Sequence, residues 1–431
     1  MNEPETIAAI STAPGRAGVA VIRISGDEAF SIYTKLSDKI ARPGKISKAK
    51  ILDEDCVILA FQNPRSFTGE DVIEIQCHGG AIAPKRILEK CFALGARCAG
   101  RGEFSRRAFL NGKISLEEAK GILELIDAKT ERAAKSALLG INNRHSQALS
   151  AIYEATLEIS SSLEHALDMD EGELPEEFFS QIKEKTAEAI DLIENEIRAI
   201  KEGKILREGA LVVLAGAPNA GKSSLMNALL GESRAIVSST AGTTRDSIEE
   251  WLDINGWPIR LVDTAGLRST TDEIEAEGVE RASSLIKKAD IVISLSSFDT
   301  ANQASSNIIA NSPKAKIIDV TAKCDLKRGG NLNISSRTGE GLPELKKTIS
   351  QALEDLVSSN TVATSNEDDK EGKLAPLNLA LELLKNSKSA PDLTIAANEV
   401  RRASSLLGNL TGAEYSQDLL DKIFSRFCVG K

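Results

Sequence analysis

"GAPNAGKSS", residues 216–224, is the most informative stretch of this chain for its fold. It lies between the apolar run at 210–215 and a helix-like segment, which is the context of a phosphate-binding loop that joins a strand to a helix. Glycines let the backbone wrap around a phosphate, and the N–H groups and the helix N-terminus face that phosphate. Lys222 would reach the terminal phosphates of a nucleotide, and Ser223 would bind magnesium. The stretch predicts a nucleotide-binding α/β unit.

Two motifs that follow this loop have the order and spacing of the magnesium-side elements of a GTPase. "GTTRD" (242–246) offers Thr244 as the switch threonine on magnesium. "DTAG" (263–266) ends an apolar strand, as expected for the magnesium-side aspartate, Asp263, and for a glycine that senses the third phosphate. Together with the phosphate loop they predict a magnesium-dependent nucleotide site of the GTPase type.

The next two motifs are those that read the base. "AKCD" (322–325) offers Asp325 to guanine with Lys323 packing along the ring, and "SSRTG" (335–339) offers a backbone contact to the guanine carbonyl. The usual base-reading motif starts with asparagine, whereas this chain has Ala322. Loss of one neutral hydrogen bond costs on the order of 1 kcal/mol, so we expect weaker GTP affinity and no change of base. The GTP contacts expected from these motifs are Asn219, Ala220, Gly221, Lys222, Ser223, Ser224, Thr244, Asp263, Thr264, Ala265, Gly266, Lys323, Asp325, Ser335, Ser336 and Arg337.

The hydrolytic apparatus departs from that of many small GTPases. They place a glutamine directly after D-T-A-G to orient water, but this chain has Leu267, which neither donates nor accepts a hydrogen bond. A monovalent cation could neutralise the charge that develops on the phosphates. Asn219 is a suitable oxygen ligand for that cation, or a local cap of the loop.

Length and composition predict a cytoplasmic protein of two or three domains. The chain has 431 residues and a net charge of -10, and it shows neither an apolar run of about 18 residues nor a secretion signal. Its six cysteines form no C-x-x-C pair and its three histidines stand apart, which argues against disulfides and zinc. Because the net charge is negative, nucleic-acid binding needs a local basic patch. One cluster of basic residues is either such a patch or a solvated charged face. The candidate residues are Lys85, Arg86, Lys90, Arg97, Arg101, Arg106, Arg107 and Lys113.

The pattern of apolar residues changes along the chain and indicates the domain order. Short apolar runs with glycine turns predict an α+β domain at 1–116, and apolar residues at three and four spacing predict long helices at 117–206. Alternating strands and helices, among them a strand at "LNIS" (332–335), predict a P-loop GTPase unit at 207–357. The helical signal returns at 358–431. The fold class is multidomain, with an all-α domain split in sequence and the α/β GTPase unit inserted into it.

The C-terminal stretch "IFSRFCVGK" (423–431) contains Cys428, three residues before the last one. It does not match a prenylation motif. Leu420, Ile423, Phe424 and Phe427 form an apolar stripe at helical spacing that would dock this segment. Cys428 is then either a buried helix cysteine or a thiol brought to an active site.

These residues resemble one family over nearly the whole chain, the MnmE/TrmE family of tRNA wobble-uridine modification GTPases. The stretches that carry the resemblance include "APGRAGVAVIRISG" (13–26), "FTGEDVIEIQCHGG" (67–80), "GEFSRRAFLNGK" (102–113), "DTAGLR" (263–268) and "FCVGK" (427–431). The resemblance implies a potassium-dependent GTPase, with potassium bound by Asn219 and the backbone of Ser238, Thr240 and Thr243. Ser238 and Thr243 would also line the GTP site, and Glu275 would orient the attacking water.

The resemblance also implies a second site, in the N-terminal domain. That domain would have the folate-binding fold of aminomethyltransferases, mediate homodimerisation and bind a reduced folate, either 5,10-methylene- or 5-formyl-tetrahydrofolate. The ligand would lie near Arg23, Glu74, Lys113 and Lys431, with Cys428 near the one-carbon unit. Taken by themselves, Arg23, Glu74 and Lys113 could equally be surface residues.

The implied reaction needs an FAD-containing partner of the MnmG type, in a heterotetramer. The two proteins would add an aminomethyl or carboxymethylaminomethyl group to carbon 5 of the wobble uridine of tRNA. Two other functions stay open. One is a GTPase that acts as a timer on ribosomal RNA, although we find no KH-like or basic extension for it. The other is a folate-dependent aminomethyltransferase in which GTP is only regulatory.

Overall fold

The computed structural model describes residues 5–169, 175–232, 249–263, 284–298, 315–330, 332–359, 372–411 and 424–430. The chain divides into two compact units. Unit 1 comprises Met1–Leu123, Gly140–Asn143 and Ala413–Lys431, and unit 2 comprises Glu124–Leu139 and Arg144–Gly412. Within the described residues, no helix is both long enough and apolar enough to cross a membrane.

Unit 1 is built on a mixed β-sheet whose strand order, for the residues described, is β3-β4-β5-β2-β1-β6. Its strands are β1 (Ile7–Ile10), β2 (Val19–Ser25), β3 (Ile46–Ile51), β4 (Glu54–Phe61), β5 (Val72–His78) and β6 (Arg97–Cys98). Its helices are α1 (Ala29–Ser37), α2 (Ala83–Ala93) and α3 (Glu103–Leu110). Burial alternates along β2 and β4, as expected for strands with one face on a core. Ile22, Ile58 and Ile75 are among the residues on that face, and they pack with α1 and α2.

The register between β2 and β5 brings two charged residues of unit 1 together. The two strands are antiparallel, and Arg23 lies directly opposite Glu74. Side chains at directly opposed positions point to the same face of the sheet and are close enough to touch. The pairing therefore brings together two charged residues that are far apart in sequence.

Two helices contribute residues to both units, namely α4 (Leu116–Asp127) and α5 (Glu131–Ile141). Leu116 and Ala119 of α4 form a small apolar cluster in unit 1 with Phe424 and Phe427 of the C-terminal segment. The two phenylalanine rings lie 5.7 Å apart between centroids. Both of these aromatic side chains are buried, so the C-terminal segment packs within unit 1.

Unit 2 contains a second sheet with the order β11-β10-β7-β9-β8 in the part of the chain that is described. Its strands are β7 (Ala210–Gly216), β8 (Glu249–Ile254), β9 (Trp257–Asp263), β10 (Ile291–Ser297) and β11 (Lys316–Ala322). All neighbours are parallel except β8 and β9. The central strand β7 is buried along almost its whole length, as is typical of a parallel sheet covered on both faces.

Helices α8 (Lys222–Glu232) and α9 (Leu342–Ser358) belong to the same apolar core as this sheet. Where the sequence predicts a strand at 332–335, the structure instead has an isolated bridge between Asn333 and Thr321. The prediction of a strand was wrong here because the connection loops back closely. Asn333 Oδ1 accepts a hydrogen bond from Gly329 N at 2.8 Å, which closes a turn before a ladder can form.

Unit 2 also contains long helices that lie before and after the sheet in sequence. They are α6 (Arg144–Leu167), α7 (Glu176–Glu208), α10 (Leu374–Lys388) and α11 (Leu393–Thr411). Their apolar stripes meet in one cluster that includes Ile159, Ile193, Leu384 and Val400. Helices separated by the strands of the sheet in sequence thus share a core.

Candidate functional site

The phosphate-binding loop lies at the carboxyl end of β7, where α8 begins. Gly216 approaches the neighbouring strand so closely that a Cβ at this position would lie 2.2 Å from the carbonyl oxygen of Leu295. Asn219 has a positive φ of 61°, a conformation that asparagine tolerates better than most residues. The loop therefore requires a glycine at 216 and is compatible with the asparagine at 219.

Lys222 is buried, with 6 % of its surface exposed, and points back into this loop. Its Nζ donates hydrogen bonds to the carbonyl oxygens of Gly216 and Ala217, both at 2.9 Å. Because the ammonium group is enclosed by the loop, its charge acts on whatever the loop surrounds. A phosphate chain is the ligand that this arrangement fits.

Ser223 and Asp263 meet at the same edge of the sheet. Asp263 ends β9, where it lies opposite Leu214 of β7 in the parallel register. The Oγ of Ser223 donates a hydrogen bond to Oδ2 of Asp263 at 2.6 Å. A hydroxyl and a carboxylate are hard oxygen donors of the kind that Mg²⁺ binds together with substrate phosphates. The pair predicted from sequence to lie on the magnesium side is thus assembled.

The two base-reading stretches are also brought together. Ser335 is fully buried, and its Oγ donates to Oδ1 of Asp325 at 2.8 Å. Arg337 forms an ion pair with Oδ2 of the same carboxylate at 2.6 Å. The hydrogen bond from Ser335, followed by the charge and hydrogen bond of Arg337, lowers the pKa of Asp325. This carboxylate is therefore ionised and oriented as an acceptor.

The backbone fixes the distance between these two stretches. Cys324 N donates to Ile334 O at 3.0 Å, and Ile334 N donates to Thr321 O at 2.9 Å. Ala322, in place of the usual asparagine, is buried, and its Cβ would be 3.7 Å from a Cβ added at Gly221 of the phosphate loop. Ala322 therefore leaves room beside Gly221 for no more than a Cβ in ordinary van der Waals contact.

The other residues predicted for GTP binding, potassium binding and hydrolysis fall into two groups. Ala220 is fully buried within the loop, and Ser224 is exposed on the first turn of α8. Lys323 and Ser336, in the two base-reading stretches, are half-buried. The second group lies outside the described residues. It comprises Ser238, Thr240, Thr243, Thr244, Thr264, Ala265, Gly266 and Glu275, together with Lys431 of the predicted folate site.

In unit 1, the structure pairs Arg23 with Glu74. Nη2 and Nε of Arg23 lie 2.7 Å and 2.9 Å from Oε1 of Glu74. The Cζ atom of Arg23 is also 5.5 Å from the ring centroids of both Phe67 and Phe104. These two aromatic residues were not among the predicted site residues, although both lie in stretches that carry the family resemblance.

Lys113 lies along the loop that holds Phe67. Its Nζ donates to the carbonyl oxygen of Pro64 at 3.0 Å, and a Cβ added at Gly69 would lie 3.1 Å from its Cγ. Phe67 is between these two positions in sequence and is exposed. Lys113 thus reaches the same loop as the aromatic ring that flanks Arg23.

The C-terminal segment carries Cys428 to the start of α3. The carbonyl oxygen of Cys428 accepts a hydrogen bond from Gly102 N at 3.3 Å, and Val429 forms a bridge with Arg101. Gly102 is followed within two residues by Phe104, whose ring flanks Arg23. Cys428 is exposed, which contradicts the alternative of a buried helix cysteine.

Part of the predicted basic patch is occupied by ion pairs within unit 1. Arg97 pairs with Glu5 and Glu103, each at 2.6 Å, and Arg107 pairs with Glu70 and Glu103, each at 3.0 Å. Burial alone would raise the pKa of Glu103, but hydrogen bonds from Arg97, Gly100 N–H and Arg107 lower it to about 2. These two arginines are therefore engaged in holding α3 to the sheet.

The mostly parallel sheet, the phosphate loop and the paired base-reading stretches are those of a P-loop GTP hydrolase. Comparisons with known proteins give the family. The family model "GTP-binding protein TrmE N-terminus" matches residues 6–113, and the model "MnmE helical domain" matches residues 116–428.

Curated relatives match over nearly their entire length. The tRNA modification GTPase MnmE of Azoarcus sp. (strain BH72) is 38% identical over 99% of this chain and 98% of that protein. The proteins of the same name from Levilactobacillus brevis and Dechloromonas aromatica (strain RCB) are 36% and 38% identical, over 100% and 99% of this chain and 99% of each relative. The chain belongs to the MnmE family of tRNA modification GTPases.

Proposed function

We propose that this protein is a potassium-dependent GTPase that acts with an FAD-containing partner of the MnmG type on the wobble uridine of tRNA. The product would carry an aminomethyl or carboxymethylaminomethyl group on carbon 5, with the one-carbon unit supplied by a reduced folate. The observation that carries the GTPase part is the Ser223–Asp263 hydrogen bond of 2.6 Å beside the enclosed ammonium group of Lys222. The tRNA part is supported by family membership.

In the nucleotide site, each described side chain has a role that its geometry supports. Lys222 would stabilise the terminal phosphates, while Ser223 and Asp263 would lie on the magnesium side with Thr244. Asp325 would accept hydrogen bonds from guanine, because its pKa is lowered and its carboxylate is held by Ser335. Magnesium would neutralise charge on the phosphates when bound.

Potassium would bind at the phosphate loop, through Asn219 and the backbone of Ser238, Thr240 and Thr243. Asn219 is exposed and carries an amide oxygen, which suits a hard monovalent cation. Because Leu267 cannot orient water, Glu275 is the residue to which we assign that task. A carboxylate at this position would also be able to accept a proton from the attacking water.

The folate site would lie in unit 1 around Arg23 and Glu74. A pterin ring is flat and carries N–H donors. The site offers an exposed aromatic ring, Phe67, near Arg23, and Arg23 also pairs with the Glu74 carboxylate, which can accept hydrogen bonds. Lys113 and Lys431 would add positive charge for the acidic part of the ligand. The exposed thiol of Cys428 would be accessible to a reacting carbon.

We propose the following organisation for these activities. The N-terminal domain (1–116) would bind folate and form the homodimer, and the GTPase unit (207–357) would be inserted into a helical domain formed by 117–206 and 358–431. The shared core of helices α6, α7, α10 and α11 supports this insertion. The protein would work in the cytoplasm, where it meets tRNA.

The experiment is reconstitution with the FAD-containing partner, GTP, 5,10-methylenetetrahydrofolate and tRNA, followed by analysis of the modified nucleosides. We expect a new wobble uridine derivative, and GTP turnover that rises when potassium replaces sodium at fixed ionic strength. Cys428→Ser should keep the potassium-stimulated GTPase activity and abolish modification.

Other outcomes would support the alternatives. Modification that persists when Lys222→Ala has removed GTP binding would indicate a transferase for which GTP is only regulatory. Absence of any modified nucleoside with wild-type protein, despite active GTP hydrolysis, would contradict the proposed reaction. Equal GTP turnover in sodium and potassium would contradict the assignment of potassium.

A further inference from the structure

The guanidinium group of Arg337 lies on the carboxylate that we assign to guanine. Oδ1 of Asp325 accepts from the buried hydroxyl of Ser335, and Oδ2 pairs with Nη2 of Arg337 at 2.6 Å. Both oxygens therefore have a protein partner. The two partners differ in exposure, since Ser335 is fully buried while 73% of the Arg337 side chain is exposed.

Guanine and arginine present the same chemistry to a carboxylate. The N1–C2–N2 edge of guanine is itself a guanidine fragment with parallel N–H donors, and arginine forms the same kind of fork. Ser335 can stay in place when a base binds, because a carboxylate has about four lone-pair positions. Arg337 differs, because its guanidinium group presents to Oδ2 the same fork of donors that the base would present, so the two groups compete for one place.

We propose that Arg337 competes with guanine for Asp325 and so sets the affinity and the association rate of guanine nucleotides. This inference rests on the proposed role of Asp325 as the guanine reader. It differs from the expectation that Arg337 contacts bound GTP favourably. Removal of a competing arginine should strengthen nucleotide binding, whereas removal of a favourable contact should weaken it.

Movement of the Arg337 side chain is sufficient for this competition. The backbone around it is held by hydrogen bonds from Gly339 N to Ser335 O at 2.9 Å and from Thr338 N to Ser335 Oγ at 3.3 Å. Since exposed ion pairs are weak, loss of this pair should change nucleotide affinity by roughly two- to fivefold. A larger effect is not expected, because the side chain swings into water.

The chain offers a matched control for the test. Arg328 is as exposed as Arg337, with 74% of its side chain accessible, and it also pairs with a carboxylate, that of Glu340. It lies near the same stretch but does not touch Asp325 in any described contact. Arg328→Ala removes the same charge from the same region without uncovering the base-reading carboxylate.

The experiment uses the full chain and a fluorescent GDP analogue, with titration for Kd and stopped flow for the association rate. Arg337→Ala should lower Kd by roughly two- to fivefold and raise the association rate, whereas Arg328→Ala should change neither. In an Asp325→Ala background, Arg337→Ala should have no effect. An unchanged or increased Kd for Arg337→Ala in the otherwise wild-type chain would overturn the proposal.

A parallel measurement separates this inference from the function on which it rests. Asparagine at 325 presents a donor and an acceptor, so Asp325→Asn should shift preference from guanine to xanthine nucleotides, whose C2 carries an oxygen. If that shift occurs while Arg337→Ala has no effect, only the competition is wrong. If Asp325→Asn leaves guanine preference intact, the assignment of Asp325 fails, and the competition with it.

Discussion

Gly430 should be essential for holding Cys428 in place. Gly430→Ala tests whether the C-terminal segment must be docked for the proposed modification of uridine. Gly430 has a φ of 99°, which L-residues with a side chain rarely adopt. A Cβ added there would lie 2.4 Å from the carbonyl oxygen of Ile10 and 3.0 Å from the Cα of Ser11. Both are backbone atoms, one in the last residue of β1 and one in the residue after it, so neither can shift at low energetic cost.

The expected magnitude follows from these two effects. The unfavourable φ costs roughly 1–2 kcal/mol, and overpacking against the backbone costs about 1–3 kcal/mol more. Docking of the segment relies on the buried rings of Phe424 and Phe427, each of which contributes about 1.5–3 kcal/mol. The substitution therefore nearly balances the docking energy, and the segment should spend much of its time displaced.

The assay combines three measurements on the full chain. Hydrogen exchange of residues 424–430 and of the Gly102 amide, which donates to Cys428 O, should accelerate strongly. Wobble-uridine modification in the reconstituted system should fall by roughly twofold, because about half of the molecules keep the segment docked when the two energies balance, while potassium-stimulated GTP hydrolysis should persist. The matched control is Gly95→Ala, because Gly95 has a similar φ of 112° but nothing within 4 Å of an added Cβ.

Gly95→Ala should lose stability through its φ alone and should keep modification activity. Slow exchange of the segment together with a wild-type rate of modification in Gly430→Ala would show that Gly430 is not needed for docking. Equal loss of modification activity in the two glycine variants would show that the contact with Ile10 plays no part.

Three further predictions concern single side chains. Ser223→Ala should reduce magnesium-dependent GTP hydrolysis by at least about 100-fold, because it removes the hydroxyl that lies 2.6 Å from Asp263; wild-type turnover at saturating magnesium would contradict the site. Glu275→Ala should lower single-turnover hydrolysis by roughly 10²- to 10⁴-fold with little change in GTP affinity, and loss of affinity with intact hydrolysis would show that the role is wrong. The pKa of Glu103 is lowered from 4.5 to about 2 in the folded protein, so its contribution to stability is present above pH 4.5 and is lost as the pH falls toward 2. Urea unfolding should therefore show the largest difference between wild type and Glu103→Gln near neutral pH and a shrinking difference below pH 4.5; a difference that stays constant down to pH 2 would contradict the ion-pair assignment.

The nucleotide site was the part most open to prediction from sequence. A phosphate loop is local, because the strand, the glycines, Lys222 and the helix are contiguous and their backbone conformations follow from the residues themselves. Asp263 ends one apolar strand and Asp325 follows another. These positions indicated the remaining parts of the nucleotide site, since carboxyl ends of parallel strands share one edge of a sheet. The helices were likewise visible in the apolar periodicity that their cores require.

Contacts between residues distant in sequence became known only from the folded chain. Arg23 and Glu74 are 51 positions apart, and they meet because the antiparallel register of β2 and β5 puts them opposite each other. The packing of Phe424 and Phe427 on α4, and with it the position of Cys428, depends on a partner surface about 300 residues earlier in the chain. The ion pair of Arg337 with Asp325 depends on the conformation of the Arg337 side chain, which the surrounding residues determine. Sequence patterns report which residues are buried and how the backbone turns locally, whereas register and side-chain pairing arise only when the whole core has formed.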